Sequence, residues 1–381
     1  MAVLSALPAV QTALKVEGPG TVTLSKTAPL PTLDPSEVLV RVACVSINPV
    51  DGKSAELSPS PGATCGIDFS GVVVALGADV ETNEFRANTR IKPPSLGDRV
   101  FSCAFGNNPL RLDNGAFAEY AAVPARLVWH VPASMDLATA ATLGTAMATA
   151  GLSLFQYLEL PMPSSTSTST EADSGGEGPF VLVYGGGTAT GAMAIQVLKI
   201  AGFTPIAICS AASAAHAMHL GAAATFDYRS PTCGADVREY TVDTLALALD
   251  CITYATSIGI CYEALGSSGG RYLALDPFPL RCHTRRSVVP DWMLTCSMFG
   301  QAIPWASPFD WDPRPQDRDF AEVWFSVAQR LLDEGCVEPH PVEIRNGGLA
   351  AVGEGMEEVR TGKITGRKLV YPIAKEICVM G

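Results

Sequence analysis

The sequence predicts an α/β protein in two parts: a compact, mostly antiparallel β-barrel, then a doubly wound parallel sheet. Three observations carry this. Short β runs punctuated by Gly and Pro fill the chain ahead of Gly151. An apolar run, Phe180–Tyr184, ends in Gly185, Gly186 and Gly187, and an apolar helical pattern begins within a few residues. Strand-like and helix-like segments then alternate, which indicates right-handed βαβ units. At 381 residues the chain exceeds one typical domain and suits two cores.

Taken in order, Glu37–Ala43, Gly71–Ala75, Arg99–Ser102 and Phe117–Val123 read as barrel strands. Pro163–Pro179 is rich in Ser, Thr and Gly with acidic residues, and reads as a flexible surface insertion over 163–179. The parallel strands follow: Phe180–Tyr184, Pro205–Cys209, Thr225–Asp227, Thr244–Asp250 and Gly270–Leu275. Arg318–Glu334 reads as a helix stopped by Gly335, Leu349–Thr361 as another, and Lys368–Tyr371 as a final strand. No internal repeat appears.

The glycine turn carries the first functional statement. Glycines let the main chain turn tightly and let a pyrophosphate approach backbone amides at a helix N-terminus, so the segment predicts a dinucleotide site. Gly185 and Gly187 occupy the first two positions of G-x-G-x-x-G, while Thr190 stands at the third and Gly191 follows one step on. A plain strand-to-helix corner would use the same residues; the alternation that follows favours the cofactor site. An NAD site places an acid at the end of the second strand to bind the ribose hydroxyls. Here that end is Cys209, Ser210, Ala211, Ala212 and Ser213, with no carboxylate. Small hydroxyl residues leave room for a 2′-phosphate, which favours NADPH. Tyr228 and Arg229 are candidates for adenine stacking and phosphate binding, although Arg229 reads equally as a solvated loop charge.

Composition narrows the class. A net charge of −12 argues against nucleic acid or an anionic membrane as the main partner. Two long uncharged stretches, Leu137–Leu158 and Ile200–Phe226, are interrupted by Gly, Pro, Thr or His, so no membrane span is expected. The N-terminus carries no basic n-region, so no secretory signal is expected. Eleven cysteines without C-x-x-C pairs read as reduced cytoplasmic thiols rather than a disulfide framework. His216 and His219 share a helical face but lack a companion ligand set, so no metal site is expected.

The motifs resemble a known superfamily nearly end to end. Ser46–Lys53, Gly66–Gly71, Gly97–Val100, Gly115–Tyr120, the glycine turn and Gly362–Val370 are similar to the medium-chain dehydrogenases/reductases. The chain lacks the metal-ligating Cys that zinc-dependent members carry near Val50 and Asp51, and it lacks their four-Cys lobe, so it resembles the zinc-free quinone and enoyl reductase branch. Leu182–Thr190, Leu249–Thr253, Leu275–Pro279 and Asp291–Leu294 resemble fungal trans-acting enoyl reductases of highly reducing polyketide synthases.

The resemblance implies a GroES-like β-barrel catalytic domain over 1–145 and 337–381, and an NADP-binding Rossmann domain over 146–336. It implies NADPH-dependent reduction of an α,β-unsaturated thioester on the acyl carrier domain of a partner polyketide synthase or polyketide–peptide hybrid. It also implies a monomer, although superfamily members often dimerise through a sixth parallel strand. Val50, Asp51, Gly52 and Lys53 are then expected to face the cofactor. Gly187, Thr188, Ala189 and Thr190 are expected to hold the pyrophosphate, and Ser210, Ala211, Ala212, Ser213 and Tyr228 to surround the adenosine phosphate. Leu275 and Asp276 lie beside the nicotinamide ribose, where relatives can have Asn in place of Asp276, and Thr365 and Gly366 close the cleft. Thr149, Ala150, Gly151 and Leu152, with Cys296, Ser297, Met298, Phe299 and Gly300, are expected to meet the acyl chain.

Lys53 and Thr149 are the catalytic candidates. Lys53 would bind the thioester carbonyl, deliver a proton through water or contact the cofactor; the competing reading is a surface lysine paired with Asp51. Thr149 otherwise reads as a mid-helix Thr bonded to its own backbone, and Cys296–Gly300 as a buried sixth strand. Arg281, Arg285 and Arg286 form a small basic cluster that would steer an acidic carrier domain, or else a solvated loop. Two other functions stay open: a stand-alone quinone or enone reductase, and a non-catalytic NADPH-binding scaffold.

Overall fold

The computed structural model describes residues 2–4, 6–163 and 178–374. The insertion expected over 163–179 lies outside them except for its ends. The chain divides into two units: residues 1–145, 296–334 and 339–381 form the first, and residues 146–295 and 335–338 the second.

The first unit is organised on Glu37–Ser46, a ten-residue strand buried at nine positions. It pairs antiparallel with Asp68–Leu76, Tyr120–Pro124 and Lys368–Pro372, and Arg99–Cys103 and Trp129–His130 extend the same sheet. Val38, Val40, Val42, Phe69, Val73, Val100 and Phe117 fill its core. Apolar residues on both sides of the single exposed Arg41 are what burial on both faces of the central strand requires. An antiparallel hairpin, Val10–Gly18 with Thr21–Pro29, adds two strands that the sequence did not announce.

The first unit also takes a segment expected in the second. The helix found at Pro315–Asp333 packs on the short strand Trp129–His130. The rings of Trp129 and Phe325 stack at 3.6 Å, and Trp129 Nε1 donates to the Phe325 carbonyl at 3.1 Å. The His130 amide donates to Gln329 Oε1 at 2.7 Å. Aromatic burial and buried hydrogen bonds therefore bind this helix to the barrel, and the boundary expected at 336 moves.

The second unit holds six parallel strands. Their order is Ala224–Asp227, Thr204–Cys209, Phe180–Tyr184, Leu247–Asp250, Gly270–Ala274 and Val288–Trp292. The order reverses between Phe180–Tyr184 and Leu247–Asp250, and a doubly wound sheet binds ligands outside the strand ends at that switch point. The sixth strand is Val288–Trp292. Cys296–Gly300, weighed as that strand, instead lies mostly in the short 3-10 helix Thr295–Phe299.

Among the described residues one helical run, Leu137–Tyr157, is long and apolar enough to cross a membrane, and 89% of its most apolar window is buried inside the protein. That is how a core helix behaves.

Val288–Trp292 forms one edge of the parallel sheet, and its outward donors are spent. In a strand alternate N–H groups point the same way. Gly270 N bonds Ser287 O and Met293 N bonds Ala274 O, which fixes the inward set. Of the outward set, Val288 N donates to Arg285 O at 3.1 Å, Pro290 has no N–H, and Trp292 N donates to Asp291 Oδ1 at 2.8 Å. An edge so blunted cannot extend its ladder into a second copy. Sedimentation analysis is expected to return the mass of one chain; a stable dimer whose mass halves when Val289 is changed to Lys would contradict this.

Candidate active site

In the first unit the site is built around a buried carboxylate. Asp68 opens its strand fully buried. Its Oδ1 accepts from Thr145 N at 2.7 Å and Thr145 Oγ1 at 2.6 Å. Its Oδ2 accepts from Lys368 Nζ at 2.5 Å, Asn48 Nδ2 at 2.9 Å and Ser46 Oγ at 3.3 Å. Lys368 Nζ also donates to Asn48 Oδ1 at 2.8 Å. Neither residue was singled out from the sequence. The signal was an acid inside an otherwise apolar strand, since such a group must be paired.

This network anchors the loop that the sequence assigned to catalysis. Asn48 precedes the helix Pro49–Leu57, whose first turns carry Val50, Asp51, Gly52 and Lys53. Asp51 turns inward rather than to the surface: its Oδ2 accepts from Asn48 N at 2.7 Å, and its Oδ1 is buried with no hydrogen-bond partner. Burial pushes this carboxyl up to about 8; the nearby Asp68 adds to the rise, while the Asn48 amide and Lys368 oppose it. Lys53 and Val50 are half-buried. Thr365 and Gly366 are exposed, two residues and more ahead of Lys368, with Gly366 at φ +67°.

Cys296, Ser297 and Met298 are buried in the first unit, and Phe299 stacks on Phe105 at 5.8 Å. Burial, reinforced by Asp51, pushes the Cys296 thiol up to about 12, so it is a neutral thiol and no nucleophile. Ser297 Oγ is buried without a hydrogen-bond partner.

In the second unit the glycine turn sits at the switch point. Gly185 has φ +86°, which a side chain rarely tolerates, and its amide donates to Ile208 O at 2.9 Å. Thr188 caps the helix Ala189–Ile200 by accepting from Gly191 N at 3.0 Å, so Ala189 and Thr190 lie in the first turn, where helix amides suit an anion. A Cβ on Gly187 would collide with the Ser213 side chain. Ser213 Oγ lies 3.3 Å from Ser210 Oγ, and Ser210 precedes the helix Ala211–His219. The structure thus brings Gly187, Ser210 and Ser213 together, beside a second helix N-terminus and with no acid among them. These residues fit a 2′-phosphorylated dinucleotide.

Other expected residues of this unit fall around that turn. Tyr228 is partly exposed, with its ring 6.5 Å from Tyr184. The Arg229 guanidinium lies over the Tyr228 ring at 4.8 Å and 3.6 Å from Asp227. Leu275 N donates to Asp250 O at 3.3 Å. Asp250 is a second buried carboxylate, accepting from the amides of Ile252 and Thr253 at 2.9 Å and from Ser257 Oγ at 2.6 Å. Burial raises its pKa and those donors oppose the rise.

Thr149 is fully buried, and its hydroxyl lies 2.7 Å from Thr295 Oγ1. The hydroxyl is therefore engaged by a second hydroxyl, Thr295, which the sequence did not suggest. The Thr149 carbonyl accepts from Ser153 Oγ at 2.6 Å as the helix changes to π geometry over Leu152–Tyr157. Single π turns gather at functional sites.

The expected basic cluster is corrected. Arg285 donates to the carbonyls of Tyr262, Leu265 and Gly266, closing the C-terminal end of the helix Ala255–Ala264. A guanidinium held by three carbonyls is structural, and only Arg281 and Arg286 remain exposed. Among the described residues no three His, Cys, Asp or Glu side chains are grouped as metal ligands, and His219 pairs with Glu338 at 3.1 Å.

Comparison with known proteins agrees with this geometry. The alcohol dehydrogenase GroES-like domain family matches residues 34–133. The chain is 66% identical over 372 residues to the trans-enoyl reductase iccB of Talaromyces variabilis, covering 98% of each chain. It is 64% identical over 379 residues to the trans-enoyl reductase iliB of a Neonectria species, covering 99% of this chain and 100% of that one. Among solved structures, the CurK enoyl reductase matches with a TM-score of 0.66 at 15% identity, covering 95% and 99% of the two chains. A mycobacterial protein complexed with NADPH matches with a TM-score of 0.67 at 19% identity and the same coverage.

The raised pKa of Asp51 has a measurable sign. A carboxyl whose folded pKa lies above its ordinary value stabilises the fold at low pH, and that contribution is lost as pH rises from 3.8 to about 8. Asp51→Asn keeps an oxygen for the Asn48 amide and cannot ionise. The melting temperature of the wild type, relative to this variant, is expected to fall across that range; a constant difference would contradict the assignment.

Proposed function

The chain belongs to the fungal trans-enoyl reductases, and from that premise we propose that it uses NADPH to reduce α,β-unsaturated polyketide thioesters. The substrate is carried by the acyl carrier domain of a partner polyketide synthase or polyketide–peptide hybrid, and the enzyme works as a cytoplasmic monomer. The observation that carries the cofactor choice is the grouping of Gly187, Ser210 and Ser213 beside two helix N-termini, with no acid among the three.

Bound NADPH would supply the hydride for the substrate β-carbon. The chain's own residues have the remaining work. Thr188, Ala189 and Thr190 hold the pyrophosphate at the helix start, and Ser210 and Ser213 donate to the 2′-phosphate. Negative charge develops on the thioester oxygen during reduction, and Lys53 stabilises it as an ammonium donor. The α-carbon then takes a proton, delivered from Lys53 through water or from the Thr149–Thr295 hydroxyl pair.

Two experiments test this. Ser210→Asp places a carboxylate where the 2′-phosphate binds, and is expected to lower kcat/KM with NADPH ~100-fold while NADH is spared; equal losses with both would remove the phosphate assignment. NADPH oxidation with a 2-enoyl thioester on pantetheine or a carrier domain is expected to exceed that with quinones and free enones, and Lys53→Ala to lower kcat ~10–100-fold. Turnover confined to quinones or free enones would make the protein a stand-alone reductase, and NADPH binding without turnover a scaffold.

A further inference from the structure

The Asp68–Lys368 pair joins two segments 300 residues apart in sequence, and both border residues assigned above to the cofactor. Asn48, which bonds Asp68 and Lys368, opens the helix that carries Val50–Lys53. Lys368 begins the strand that follows the exposed loop with Thr365 and Gly366. Neither Asp68 nor Lys368 is exposed enough to touch a ligand: their side chains are 0% and 5% accessible.

Such a pair is a poor device for stability alone. Desolvating two charges costs much of what their attraction returns, so apolar residues of similar volume serve as well or better. What the pair does supply is direction. Asp68 takes six donors from five residues, Ser46, Asn48, Cys103, Thr145 and Lys368, and each donor must come from one position. Asn48 is held from both sides, its amide nitrogen by Asp68 and its amide oxygen by Lys368. An apolar replacement would fill the same volume and leave only backbone pairing, such as Ile47 N to Leu369 O at 3.1 Å, between the two segments, with nothing to orient the Asn48 side chain.

We propose that Asp68 and Lys368 are positioning residues for the cofactor, locking the Asn48–Lys53 turn to the Thr365–Lys368 return so that both present one fixed binding surface. Neither touches NADPH or thioester. The inference rests on the assignment of those two segments to the cofactor and extends it to the groups that hold them.

The test separates positioning from stability. Lys368→Met leaves a buried carboxylate unpaired and is expected to lower the melting temperature, whereas Asp68→Asn with Lys368→Met removes both charges and is expected to recover it. NADPH affinity is read from quenching of tryptophan emission, well below the lowest melting temperature. The double variant is expected to bind NADPH roughly tenfold more weakly, as a misplaced binding group does. Its KM for NADPH rises in step while its KM for the enoyl thioester stays unchanged.

An affinity that recovers together with the melting temperature would overturn the proposal, since the pair would then be structural only. If the double variant does not fold, Lys368→Arg keeps the charge in a different geometry; the same weakening is expected, and wild-type affinity would overturn the idea. A wild type that binds NADPH but leaves thioesters unreduced defeats the proposed function and not this inference, because the affinity comparison stands without turnover.

Discussion

A carboxylate with no water around it must find every donor within the protein, and in the barrel unit that requirement falls on Asp68. Its oxygens face Lys368, Asn48, Ser46 and both polar groups of Thr145, from a position with no exposed surface. Removing one charged partner from such a site typically costs about 3–5 kcal/mol, a large part of a domain's net stability. The elements that meet there are thus not independent. Asp51 sits in the same surroundings, and its own burial raises its pKa to about 8, with the nearby Asp68 adding to the rise and the Asn48 amide and Lys368 opposing it. The barrel unit thus surrounds one buried carboxyl with donors and leaves the other, Asp51, to be driven by burial toward its protonated form.

The parallel-sheet unit repeats the principle with different chemistry. Asp250, at the end of a central strand, folds the following loop back on itself through the amides of Ile252 and Thr253. That loop packs against the glycine turn: a Cβ on Gly185 would crowd Cys251 and Ile252. The switch point is consequently close-packed where the glycine turn meets that loop. In both units a buried acid fixes a loop, and the loop, rather than the acid, carries or adjoins the residues proposed to meet the ligand.

Much of this was legible in the sequence because it depends on short-range pattern. The glycine turn, the first three parallel strands and the acid-free end of the second follow from residues within a few positions of one another. The hairpin over Val10–Pro29 was not legible, because Thr21–Pro29 is mostly solvent-facing and its apolar content falls too low to read as a strand. The sixth strand was missed for a related reason: Pro290 and Asp291 suit an edge, where no outer neighbour demands an amide. The Asp68–Lys368 pair lies beyond local pattern altogether, since only the fold brings the two together. Arg285 was misplaced because a cluster of arginines looks the same in sequence whether it faces solvent or closes a helix.

The π segment over Leu152–Tyr157 also preserves a record of length. A π turn holds one residue more than the α turn it replaces, and Leu158 N reaches back five residues to Ser153 O. Deleting a single residue there would let the helix rewind to α geometry with everything that follows still in register, because the π turn has already absorbed the extra residue. The extra residue therefore acts locally, re-aiming the side chains of this mostly buried stretch while the flanking turns stay where an α-helix would put them. Among homologues, a one-residue alignment gap at this point would mark a helix of plain α geometry whose flanking turns have not moved.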